Sequence, residues 1–185
     1  AARAAKGEAL ALEPAVVEAV RNILNDDSLD GSLKAQAMSL PGFSILSQAQ
    51  TPVNPAALVK ARDFVVETLS TELRDDLLAQ RKAARPTGAY SADKASINGR
   101  RLANAALGLL SANGEDDILA MAAEQFEAAD NMTDSQAALG CLVQTAGAHR
   151  AKALQAFYER WSDDGLVMDK WFALQAMSRP FDVAA

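Results

Sequence analysis

Histidine and cysteine are the side chains that most often hold metals or attack substrates, and this chain has one of each, His149 and Cys141. An H-E-x-x-H zinc site needs two histidines one helical turn apart, and cysteine-rich zinc sites need several thiolates. Neither can be assembled here. A Ser-His-Asp triad would have to use His149, yet no G-x-S-x-G elbow accompanies it. His149 stands beside Arg150 and Lys152 at a helix start and reads as a surface or turn residue. Cys141 lies next to Leu142 in an apolar helical face and reads as a small core residue rather than a nucleophile. A lone cysteine also excludes an internal disulfide and points to a reducing compartment.

The charged and aromatic clusters lead to the same place. Arg100-Arg101, and Arg81-Lys82 with Arg85, read as solvated faces near helix ends, where cations favour the macrodipole. Asp116-Asp117 and Asp163-Asp164 fall at expected helix starts, where carboxylates favour the dipole, and neither has the D-x-D-x-D-G spacing of a calcium loop. Phe157, Trp161, Trp171 and Phe172 recur at helical spacing and read as core rather than as a ligand groove. The residues assign no catalytic, metal or substrate-binding side chain.

The elements that carry these residues are helices. Alanine, the best helix former, occurs 40 times among 185 residues, and aromatics make up only 5%. No stretch sustains period-2 alternation. The length suits one helical domain spanning residues 1–185, and a hydrophobic half excludes a disordered tail. No apolar run approaches the roughly 20 residues of a membrane span. A net charge of −6 with scattered Lys and Arg argues against nucleic acid, which needs a concentrated basic face.

About eight helices are expected. Glu13-Pro14 opens one with Val16, Val17, Val20, Ile23 and Leu24 on its apolar face, and a short one follows near Gly31–Ser39. Residues 40–54, with Pro41, Gly42 and Pro52, read as a surface loop or a linker. Asn54-Pro55 is the best helix start, and Leu58, Ala61, Val65, Leu69, Leu73 and Leu77 continue that helix to about Ala84. A helix from about Ser91 to Leu110 ends at Asn113-Gly114, and the next carries Ile118, Leu119, Ala122 and Phe126. Thr133 with Gln136 makes a capping box for a helix bearing Ala138, Leu139, Leu142 and Val143. After Gly147, two more helices carry Leu154, Phe157 and Trp161, then Val167, Trp171 and Leu174. Short connections force antiparallel neighbours, so the expected fold is all-α: an irregular, HEAT-like α-solenoid of antiparallel helix pairs. The chain starts Ala1-Ala2-Arg3 without a signal peptide and stops at Arg179–Ala185 without a terminal device, which reads as a piece of a longer chain.

Two stretches go further. Phe126-Glu127-Ala128-Ala129-Asp130-Asn131-Met132-Thr133-Asp134 followed by Gln136-Ala137-Ala138-Leu139, and Trp161-Ser162-Asp163-Asp164-Gly165-Leu166-Val167-Met168-Asp169-Lys170-Trp171-Phe172-Ala173-Leu174-Gln175-Ala176, resemble segments of the bacterial aminopeptidase N family, zinc-dependent gluzincin peptidases. Leu12-Glu13-Pro14, the Ser39-Leu40-Pro41 loop and the Asn54-Pro55 helix start fall in a compatible order. The resemblance is to the first part of that family's helical C-terminal domain, which covers the active site and walls a closed cavity. It implies a parent enzyme that removes N-terminal residues from peptides, with zinc in a catalytic domain carrying H-E-x-x-H and G-x-M-E-N. Neither motif occurs in this chain, so no catalytic, metal or substrate-binding residue is carried over.

The partners this implies are the parent's own catalytic domain and peptide substrates, with no nucleic acid and no membrane. The expected location is cytoplasmic. Self-association is expected through apolar faces on the first or last helix. The alternative is a stand-alone TPR- or HEAT-like scaffold. Ala153-Leu154-Gln155-Ala156-Phe157-Tyr158 has the small-large pattern of such helices, but no 34- or 40-residue period supports it.

Overall fold

A chain rich in alanine and poor in β-branched residues favours helix locally, and all regular structure among the described residues is helical. The computed structural model describes residues 1–178; the expectation about residues 179–185 lies outside the described residues. The chain divides into two compact units, Ala1–Pro86 with Asp93–Asn113, and Thr87–Ala92 with Gly114–Ala185.

The first unit contains α1 (Ala2–Ala5), α2 (Pro14–Asn25), α3 (Gly31–Ala37), α4 (Phe43–Gln48), α5 (Pro55–Glu72), α6 (Arg74–Ala84) and α7 (Lys94–Leu110), followed by a 3₁₀ turn, Ser111–Asn113. Helix α7 packs on α3, α5 and α6. It can because its buried residues Leu102, Ala103, Ala106, Leu107, Leu109 and Leu110 recur at helical spacing. Two glycines let backbones approach closely. A Cβ on Gly31 would lie 2.5 Å from the Asn98 carbonyl oxygen, and one on Gly99 would lie 2.3 Å from that of Ala84. Leu24, Leu69, Leu73, Leu77, Leu107 and Leu110 are almost fully buried in this unit.

The starts follow the sequence where side-chain caps exist. Asn54 accepts the Ala57 N–H at 3.0 Å with Pro55 in the first turn, and Asp93 accepts the Ser96 N–H at 3.0 Å. Other boundaries differ. The expected helix from Pro55 to about Ala84 breaks at Leu73, which ends α5 and begins α6. The break is held from α2: Arg21 donates to the Glu72 carbonyl at 3.0 Å and to Asp76 Oδ2 at 3.1 Å. A carbonyl without its helical partner is satisfied by a neighbouring helix. Within residues 40–54, read as a loop, Phe43–Gln48 form α4 after Gly42. The short α1 has no side-chain cap and no buried residue, so it left no pattern to read.

Arg81 and Arg100, expected on solvated faces, are each only 6% exposed. Long aliphatic stems pack well beneath a charged head, and α6 and α7 approach too closely at Gly99 to leave such stems in solvent. Lys82, Arg85 and Arg101 remain exposed, as expected of a solvated face.

The second unit contains α8 (Asp116–Ala128), α9 (Met132–Leu142), α10 (Ala148–Trp161) and α11 (Gly165–Ala176). Helix α8 packs on α9, and α10 packs on α8, α9 and α11. Phe157 is 1% exposed, its ring 6.5 Å from those of Phe126 and Trp161. The Trp171 indole N–H donates to the Leu154 carbonyl at 2.9 Å and ties α11 to α10. The expected Thr133 capping box is replaced by an N-cap two residues earlier, at Asn131. Asn131 accepts the Asp134 N–H at 3.0 Å and donates to the Asp134 carboxylate at 2.9 Å, and Thr133 lies inside α9. Both residues are competent caps, and the one whose backbone is extended takes the role.

Candidate functional site

Helices α8 and α10 enclose a groove of about 390 Å³ in the second unit. Its walls are small because alanines at helical spacing face it: Ala120 and Ala123 from α8, and Ala153 and Ala156 from α10. Phe126 and Leu142 complete the apolar lining. Its mouth is polar, carrying Glu124 and Glu127 from α8 and His149 and Lys152 from α10. The Lys152 ammonium bonds Glu127 Oε1 at 2.6 Å across the two helices. That hydrogen bond, reinforced by the lysine's charge, holds the Glu127 carboxyl below its ordinary range. A second depression of about 630 Å³, lined by Leu10, Val59, Phe64 and neighbouring residues of the first unit, is larger and more open to solvent.

The residues weighed for chemistry are dispersed. Cys141 is buried in α9 and His149 is exposed at the start of α10. Asp116 begins α8, and Asp164 caps α11 by accepting the Leu166 and Val167 N–H groups. Of the aromatic set, Phe157 is core, Trp161 and Trp171 are half-buried, and Phe172 is 60% exposed. The Phe172 reading as core is thus corrected: Trp171 turns inward to Leu154, and the next residue of a helix points about 100° away. Leu166 and Met177 are exposed with it. Among the described residues no three His, Cys, Asp or Glu side chains gather as a metal ligand set. These residues therefore do not fit a zinc site. Sequence reasoning missed the Glu127–Lys152 pair, since residues 25 apart give no local signal of contact.

A family model described as "Domain of unknown function (DUF3458_C) ARM repeats" matches residues 1–185. The chain belongs to this family. The DUF3458_C chain is therefore all-α and of the ARM-repeat solenoid class, which agrees with the fold expected from its helix spacing. It is 36% identical over 178 residues to aminopeptidase N of Escherichia coli, covering 96% of this chain and 20% of that protein. It is 35% identical to aminopeptidase N of Caulobacter vibrioides over 88% of this chain and 19% of that one. The Haemophilus influenzae aminopeptidase N is 32% identical over 96% of this chain and 20% of its own length. The resemblance read chiefly from residues 126–176 thus extends over nearly the whole chain, which spans about a fifth of the curated relatives it matches. A crystal structure of Legionella pneumophila aminopeptidase A in complex with aspartic acid shares the fold. Its TM-score is 0.79 at 24% identity, over 95% of this chain and 22% of that one.

Proposed function

We propose that this DUF3458_C chain is the first part of the helical C-terminal domain of a zinc aminopeptidase, where it covers the active site and limits access to small peptides. The observation that carries the reading is the 36% identity to an aminopeptidase N over 96% of this chain but only 20% of that enzyme. Zinc and the catalytic residues would belong to another domain of the same cytoplasmic polypeptide, and the partners of this chain are that domain and the peptides it admits. The two compact units act together as one covering domain.

The surface of α11 supports a covering role. Leu166 is 81% and Phe172 60% exposed on α11, and Met177, just after it, is 71% exposed, large apolar side chains suited to further protein rather than water. A free-standing array presents a polar outer helix instead. In a closed cavity the covering helices would exclude bulk water, which strengthens electrostatic interactions at the catalytic centre. The test uses an aminoacyl-arylamide. The purified chain with added zinc is expected to give no turnover. The complete polypeptide encoded by the same reading frame is expected to turn over, and to lose activity on chelation. Turnover by the chain alone, or a reading frame without H-E-x-x-H, would overturn the proposal.

A further inference from the structure

The groove between α8 and α10 has a chemistry that a covering role leaves unused. Its alanine walls leave about 390 Å³, within the range of volumes that hold ligands. At its mouth Lys152 is committed to Glu127, whereas Glu124 has no side-chain partner among the described residues. The surrounding unit is strongly acidic. Residues 87–92 and 114–185 hold twelve Asp and Glu against five Lys and Arg, a net −7, while the other unit carries +1. The acidic excess of the chain thus lies in the unit that contains this groove.

We propose that the groove docks a short basic peptide, which seats an apolar side chain against Phe126 and the alanines and sets a Lys or Arg beside Glu124. Charge complementarity selects the occupant. An acidic peptide meets repulsion from the unit's field, and a purely apolar one leaves Glu124 beside it without a counter-charge. The groove is open toward solvent, so it receives a side chain from a peptide rather than engulfing a whole molecule. The inference is independent of the aminopeptidase reading, because it concerns the 185-residue chain alone.

The test titrates the chain with three capped tetrapeptides, acetyl-Lys-Leu-Leu-Lys-amide, acetyl-Ser-Leu-Leu-Ser-amide and acetyl-Glu-Leu-Leu-Glu-amide, followed by amide chemical shifts and calorimetry. The lysine peptide is expected to bind tightest, with shifts confined to residues 120–127 and 148–156. Glu124→Lys, at an exposed site, is expected to weaken it about fivefold, the scale of one exposed charge pair changed from attraction to repulsion. Ala156→Trp, also exposed, is expected to fill the groove and abolish binding, with the far-UV circular dichroism of both variants unchanged. No binding, shifts centred elsewhere, equal affinity for all three peptides or insensitivity to Glu124→Lys would each overturn the proposal. Should Ala156→Trp disturb the fold, the Glu124→Lys result and the three-peptide series still decide it.

Discussion

Gly99 sits where α7 crosses the end of α6, and replacing it sets two effects of opposite sign against each other. In a helix interior Gly→Ala stabilises by about 1 kcal/mol, because alanine loses less backbone entropy on folding. At Gly99, however, the new Cβ would lie 2.3 Å from the Ala84 carbonyl oxygen, with the Pro86 ring at 3.5 Å. Carbon and carbonyl oxygen settle near 3.3 Å, so α6 and α7 would have to part by about 1 Å. The obstacle is backbone, which cannot rotate aside as a flexible side chain would. Overpacking of this kind costs about 1–3 kcal/mol, so the upper end applies and Gly99→Ala should destabilise by about 2 kcal/mol net. The same helix supplies the control. Gly108 is exposed, and a Cβ there meets nothing within 4 Å, so Gly108→Ala should stabilise by about 0.5–1 kcal/mol. Urea unfolding of both variants, followed by far-UV circular dichroism, would show midpoints moving in opposite directions. A Gly99→Ala chain stabilised as much as the Gly108→Ala chain would refute the close-approach reading of the α6–α7 crossing.

Phe157→Ala should cost about 3–5 kcal/mol, since that ring is 1% exposed and lies against Phe126 and Trp161; loss of less than 1 kcal/mol in urea unfolding would contradict its place in the core. Glu127 gives a pH prediction. Its carboxyl is held below its ordinary value of 4.5 by Lys152, so the pair's stabilisation is present above that pH and lost as pH falls through the lower folded value. Lys152→Met should return the Glu127 carboxyl to its ordinary range in an NMR titration, and an unchanged midpoint would show that the ion pair does not form in solution.

Apolar spacing and caps were legible because they act over three or four residues. The Asn54-Pro55 start and the burial of Leu69, Leu77, Leu139 and Cys141 all follow from local pattern. The chain's inability to assemble an H-E-x-x-H site was equally plain, because one histidine cannot supply two. Family membership was legible in a few unusual runs and was then borne out over the full length.

Tertiary structure decided everything that depends on what lies across from a residue. The break at Leu73 needs Arg21 of α2 to take the Glu72 carbonyl, and no pattern within residues 55–84 announces that donor. Arg81 and Arg100 look like surface charges until α6 and α7 close on their stems. Thr133 read as the cap of α9, and the extended backbone at Asn131, two residues earlier, gave that role to Asn131 instead. Phe172 shares its composition and neighbourhood with Trp171, yet one is exposed and the other reaches Leu154. The groove mouth joins Glu127 to Lys152 across 25 residues. Local propensity fixes which residues form helices because it acts through the backbone's own turn. Burial, ion pairing and grooves arise from contacts between turns far apart in sequence, and those exist only once the helices have packed.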